Sequence, residues 1–240
     1  MKRIAIIIAA IAVLVGCEKP TPEPVAEDVN ITIAYTLDTS VGSDMTRVTD
    51  AEVFDMFYQK MKSGEMVEPT YSLTFTEVNT GFKYEFSGNW ADKDMVTIRT
   101  GKYKVSGKSN ARGVYIQGAA SLTFNQEIEI NTSATSITLN AIYDCYLLAF
   151  AKSDITSLVC VPYASSYAPD NKNFFEFENY YYAFVNDQIY SSQSEGHILG
   201  RRVQETFKIM TGYAAFEKGK YYIYNDVSGS FELPKMEAGN

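Results

Sequence analysis

The stretch Leu122-Thr123-Phe124-Asn125-Gln126-Glu127-Ile128-Glu129-Ile130 decides the fold class. Leu122, Phe124, Ile128 and Ile130 share one side of an extended chain, and Thr123, Asn125, Glu127 and Glu129 share the other. That period of two marks a strand with one face in a core and one in water.

The same period recurs on both sides. Ile31, Ile33, Tyr35 and Leu37 alternate with Thr32, Ala34 and Thr36, so residues 30–37 read as a half-buried strand. Tyr71, Leu73 and Phe75 lead to a turn at Asn79-Thr80-Gly81, and Phe82, Tyr84 and Phe86 return, with Lys83 and Glu85 facing out. Residues 95–99 and 103–106 are spaced to pair across Thr100-Gly101-Lys102. Residues 131–134 turn, and Ile137, Leu139 and Ala141 return. One helical signal interrupts this pattern. Val53, Phe54, Phe57 and Met61 fall at helical spacing within residues 50–63, with Asp50 as the candidate N-cap and Gly64 as the stop.

Residues 142–151 are apolar in both parities, which predicts a strand covered on both faces and marks the crossing into a second unit. Gly101-Lys102-Tyr103-Lys104-Val105 recurs in form as Gly219-Lys220-Tyr221-Tyr222-Ile223, each a turn glycine that launches an aromatic-bearing strand. The expectation is a mainly β chain of two Greek-key β-sandwich domains, residues 30–141 and 142–240, with one short helix in the first. Composition agrees: 18 Tyr and 14 Phe in 240 residues favour sheet. A formal net charge of -8 argues against a nucleic-acid partner.

At the N-terminus, Lys2 and Arg3 precede an apolar run from Ile4 to Val15, and small Gly16 precedes Cys17, the order of parts in a secretory signal. The run is shorter than the roughly 20 residues a membrane span needs. Its end, Leu14-Val15-Gly16-Cys17, resembles the lipobox of bacterial lipoproteins. The resemblance implies a signal peptide over residues 1–16, cleavage before Cys17 and lipidation of its thiol. The implied location is the outer membrane, facing the periplasm or the cell surface, with the N-terminal lipid as the membrane partner. Residues 17–29, spaced by Pro20, Pro22 and Pro24, read as an extended tether of about 3 Å per residue. With Cys17 lipidated, Cys145 and Cys160 remain in a compartment that permits a disulfide. They are equidistant from Lys152-Ser153, so a hairpin turning there would bring them face to face. Two separate buried thiols are the alternative.

Residues for chemistry are few. His197 is the single histidine, in a polar, loop-like stretch, which excludes a multi-histidine metal site. No phosphate-binding glycine loop, dinucleotide fingerprint or nucleophile elbow is present. Asp92-Lys93-Asp94 lacks the glycine and terminal glutamate of a calcium loop. The expectation is a chain without enzyme activity, metal or cofactor. The aromatic run from Tyr163 to Phe184 is the richest cluster. In Tyr180-Tyr181-Tyr182-Ala183-Phe184, neighbouring rings point to opposite faces of a strand, which offers one face to the core and the other as a platform for sugars or partner proteins.

The lipobox, the proline-spaced tether, an early strand followed by Thr46-Arg47, and strands introduced by Gly-Lys-Tyr together resemble exported lipoproteins of Bacteroidetes that include fimbrillins and fimbrial anchor or tip subunits. The resemblance implies two transthyretin-like β-sandwich domains and a structural or adhesive role at the envelope, with other envelope proteins or glycans as partners. It further implies that a trypsin-like protease cuts after Arg47, freeing a groove for a donor strand from another subunit. An ordinary loop arginine is the alternative at that position. Gly81 and Gly101-Lys102-Tyr103 are also similar to Cna-B-type sandwiches, but the isopeptide lysine of that type has no counterpart in residues 30–37. A carbohydrate-binding lipoprotein accessory to glycan uptake, using the aromatics of residues 163–184, is the second functional reading.

Overall fold

The computed structural model describes residues 26–37, 51–109, 116–153, 155–161, 172–186, 197–202, 206–210 and 216–225. In chain order the elements are β1 (Asp28–Leu37), α1 (Ala51–Lys62), β2 (Thr70–Glu77), β3 (Lys83–Asn89), β4 (Met95–Arg99), β5 (Gly101–Ser109), β6 (Ile116–Gln117), β7 (Leu122–Ile130) and β8 (Ser136–Tyr143). They continue with β9 (Tyr146–Ala151), β10 (Ile155–Val161), β11 (Lys172–Asn173), β12 (Phe175–Phe177), β13 (Tyr180–Val185), β14 (His197–Arg202), β15 (Thr206–Met210) and β16 (Tyr221–Tyr224).

Seven strands follow one hydrogen-bonded path, β3-β2-β5-β7-β8-β1-β4. The path folds over at β8, because that strand changes partners along its length. Its end pairs with β7 at Leu122↔Tyr143 and Thr123↔Ile142, whereas Ser136 to Ala141 run parallel to Thr32 to Leu37 of β1. Two leaves result, and their apolar sides meet. Leu73, Phe75, Tyr103, Val105 and Phe124 from one leaf share a core with Ile31, Ile33, Ile98 and Leu139 from the other. This is a β-sandwich packed face to face.

One expected hairpin does not form. Residues 95–99 pair antiparallel with β1, and β5 pairs with β2 and β7. Thr100-Gly101 is therefore a corner between leaves, with Arg99 opposite Asp28 and Gly101 opposite Ile130. Ile98 and Tyr103 both point into the shared core, which a local hairpin would not require. The Tyr103 hydroxyl ties the corner by donating to the Arg99 carbonyl at 2.8 Å.

Helix α1 forms where the spacing predicts it. Val53, Phe57 and Met61 are buried on one stripe. Gly64, at φ +85°, ends it and donates its N–H to the Met61 carbonyl at 3.0 Å, a conformation that suits glycine. Asp50, the candidate N-cap, lies outside the described residues.

Beyond residue 142 the chain builds a middle sheet, β12-β13-β9-β16, with β6 also beside β13, and a four-stranded sheet, β11-β10-β14-β15. The doubly apolar segment becomes β9. Leu147 and Ala149 enter the first core, and Tyr146, Leu148 and Phe150 enter a second core with Ile155, Leu158, Cys160 and Ile198. Residues on both sides of 141/142 share one core: the first core takes Leu147, Ala149, Tyr182, Phe184 and Ile223 from beyond it. Strand β6, from before the boundary, pairs with β13 at Phe184↔Gln117 and Val185↔Ile116.

Candidate functional site: the N-terminal strand and its two neighbours

Cys17, Arg47, Tyr163 and Tyr167 lie outside the described residues. The other predicted positions are placed, and three of the expectations change.

Tyr180, Tyr181, Tyr182 and Phe184 lie on β13, between β12 and β9. The alternation is real, but both faces are covered. Tyr182 and Phe184 pack in the first core, and Tyr181, Ala183 and Val185 in the second. Tyr181, Tyr182 and Phe184 keep only 8%, 6% and 2% of their surface, so no ring platform is open there. The Tyr182 hydroxyl donates to the Gly118 carbonyl at 3.0 Å, and Tyr180 donates to Asn225 Oδ1 at 2.7 Å. The platform expectation assumed a two-layer arrangement. A third layer covers the face left for ligand.

Cys145 and Cys160 are free, buried thiols. Strands β9 and β10 do not form the assumed hairpin: β9 pairs with β13 and β16, and β10 with β11 and β14. Lys152-Ser153 is a crossing between sheets. Cys145 packs in the first core, and Cys160 packs in the second. Cys145 Sγ lies 3.7 Å from the Ser121 carbonyl, and burial pushes both thiols up to about 12.

His197 begins strand β14, opposite Met210 and Val161, rather than a loop. Asp92, Lys93 and Asp94 form an exposed tip with Lys93 at φ +51°. Among the described residues no group of three or more His, Cys, Asp or Glu side chains is placed to hold a metal. A cleft beneath α1 is lined by Phe54, Met61, Tyr143, Leu147, Phe184 and Tyr221. Its interior, about 20 Å³, has room for one water and none for a sugar ring.

The site with the most distinctive geometry is β1. Asp28 to Thr32 pair antiparallel with Arg99 to Met95 of β4, and Thr32 to Leu37 pair parallel with β8. Ile31, Ile33 and Leu37 retain 0%, 5% and 7% of their surface. The Asp28 end is pinned. The Glu27 N–H donates to Thr100 Oγ1 at 3.0 Å, Thr100 N–H to the Glu27 carbonyl at 2.8 Å, and Thr97 Oγ1 to Asn30 Oδ1 at 2.7 Å. Arg99 Nε stands 3.6 Å from Asp28 Oδ1, an exposed pair that adds little. Alternation revealed the strand. Its neighbours escaped sequence reasoning because both pairings join segments distant in the chain.

Among the described residues these features define a mainly β, sandwich-containing fold with one helix, in which β1 is built into the sheet path. No protein-family model and no curated protein sequence matches it. Among solved structures it is similar to a candidate cell-adhesion protein from Bacteroides thetaiotaomicron, at 13% identity and TM-score 0.45, covering 86% of this chain and 99% of that one. It is also similar to a fimbrial assembly protein from Parabacteroides distasonis, at 12% identity and TM-score 0.41, covering 82% and 90%. A candidate adhesin from Bacteroides ovatus matches at 11% identity and TM-score 0.31, covering 88% and 94%.

Proposed function

We propose that the protein is a non-enzymatic envelope protein with a structural or adhesive role, carried to the envelope by lipid on Cys17, and that it is a fimbrial-type subunit in which a cut at Arg47 releases the body from that lipid and makes β1 the exchangeable element. One observation carries this reading: β1 lies inside the sheet path, between β8 and β4, yet joins the body through the segment that contains Arg47. A cut at Arg47 leaves β1 attached to the tether and α1 attached to the body, where Val53, Phe57 and Met61 hold it.

Withdrawal of β1 would uncover the apolar surface under Ile31, Ile33 and Leu37, each a side chain whose burial is worth about 1.5–3 kcal/mol. It would also free backbone groups of β8 and β4. A replacement strand is then favoured by β-strand addition, and the two rims fix its polarity as parallel to β8 and antiparallel to β4. The platform at residues 180–184 no longer supports the carbohydrate reading, since Tyr181, Tyr182 and Phe184 are buried and Tyr180 is partly buried against the first core.

Mass spectrometry of the native N-terminus, with gel analysis of unheated samples, tests the proposal. A shaft subunit begins at Val48 and forms heat-resistant ladders, and Arg47→Ala abolishes both. Protein found only as a monomer beginning at lipidated Cys17 removes the exchange role and leaves an anchor or tip.

A further inference from the structure

We infer that β1 is a load-bearing shear clamp: in the uncut protein it resists tension applied through the tether by engaging both neighbouring strands at once. The clamp follows from register alone. Only the assignment of tension to the tether rests on the anchoring proposed above.

Five residue pairs join β1 to β4 and six join it to β8, and the two sets meet at Thr32. Almost the whole strand is thus held, its first half from one side and its second half from the other. The chain enters at the Asp28 end. A pull outward from that end runs along the strand axis, so every pair must slide together before any separates. A pull across the strand opens the pairs one after another from Asp28 onward. Three buried side chains, Ile31, Ile33 and Leu37, would have to be dragged past the facing leaf in the first case. The hydrogen bonds between residues 27 and 100 stand at the point where the load enters.

The sandwich supplies a matched control. Glu77 lies opposite Tyr103, Gly101 opposite Ile130, and Thr100 bonds Glu27, so the tip at Asn79 is at the end of the sandwich where the tether enters. Asn89 lies opposite Thr70, Tyr71 opposite Ser109, and Leu122 opposite Tyr143, which places the segment leading to Asp92 toward the end reached by Leu37. Load between residues 26 and 92 therefore runs along β1, and load between residues 26 and 79 runs across its entry.

The test is single-molecule force spectroscopy on the full mature chain carrying Cys17→Ser, with handles on Ala26→Cys plus either Asp92→Cys or Asn79→Cys. All three handle positions are exposed, whereas Cys145 and Cys160 are buried and do not compete for the handles. Both variants should melt at the parent temperature. Because forced unfolding is set by the barrier along the pulling direction, the 26/92 pair should yield at about twofold higher force than 26/79 at equal loading rate. Equal forces, or a weaker 26/92 pair, overturn the clamp. A Cys17→Ser variant that stays with the membrane would refute the anchoring while leaving this force ratio unchanged, so the two ideas fail separately.

Discussion

Gly107 sits mid-strand in β5, opposite Leu73 and Phe124. A Cβ there would lie 2.4 Å from the Ser72 carbonyl oxygen and 2.9 Å from the Leu73 Cα, and neither backbone atom can swing aside as a side-chain tip would. Gly107→Ala should cost about 1–3 kcal/mol in urea unfolding, the range for overpacking. An unchanged midpoint would mean the leaf is looser than this geometry. The two thiols make a prediction of opposite character, visible only at alkaline pH. Their ordinary value is 9.0 and burial pushes both to about 12. Between those limits the unfolded chain releases protons that the folded chain keeps, so stability is full below about pH 9 and falls as pH rises, by about 1.4 kcal/mol per unit for each thiol. A Cys145→Ala, Cys160→Ala variant should show a shallower decline in an alkaline unfolding series. An identical slope would place the burden on other groups. Phe184, with 2% of its surface exposed, should cost about 3–5 kcal/mol when replaced by Ala, as a core ring does and a ligand platform does not.

At the scale of elements, β4 depends on β1, its only strand partner among the described residues. Amides of Met95 to Arg99 should therefore open with those of β1 in native-state hydrogen exchange, and Ile33→Ala should speed both while leaving β2 and β5 protected. Exchange of β4 unaffected by that substitution would show that it is held by something else. This dependence also marks where sequence reading stops. Strands β1, β2 and β7 and helix α1 were legible, because burial on one face leaves a period in the residues themselves. β9 was legible too, since a strand with an apolar residue at every position has no side that can face water. Pairing was not legible. Residues 95–99 and 103–106 looked like a hairpin because they are close in sequence, but a corner between leaves has the same spacing. Alternation tells which side of a strand faces a core and says nothing about which strand lies beside it. The ring run at residues 180–184 failed for a related reason, as the second layer covering it comes from β10 and β14, far away in the chain.

For the whole molecule, the question is whether the chain unfolds as two units or one. The first core binds α1 and the sandwich to residues of β9, β13 and β16, with Phe54 stacked on Tyr221 at 3.8 Å and Phe57 set edge-on to Phe177 at 5.2 Å. A polar contact reinforces this seam. Ser121 Oγ donates to Asn186 Oδ1 at 2.6 Å, and Gln117 Nε2 donates to the same oxygen at 3.1 Å and to Ser121 Oγ, linking segments about the 141/142 boundary. Ser121 is nearly buried, so loss of one partner leaves unsatisfied polar atoms rather than a simple gap. Separating the halves would expose Phe57, Leu147, Tyr182 and Phe184 together. The full chain should therefore unfold in one calorimetric transition whose measured and van't Hoff enthalpies agree, and a fragment of residues 142–240 should lack fixed tertiary packing. Asn186→Ala should lower the midpoint of that single transition by weakening the seam. Two resolved transitions, or a fragment 142–240 that folds cooperatively, would show that the shared core is a contact between independent sandwiches, with a boundary at residue 142.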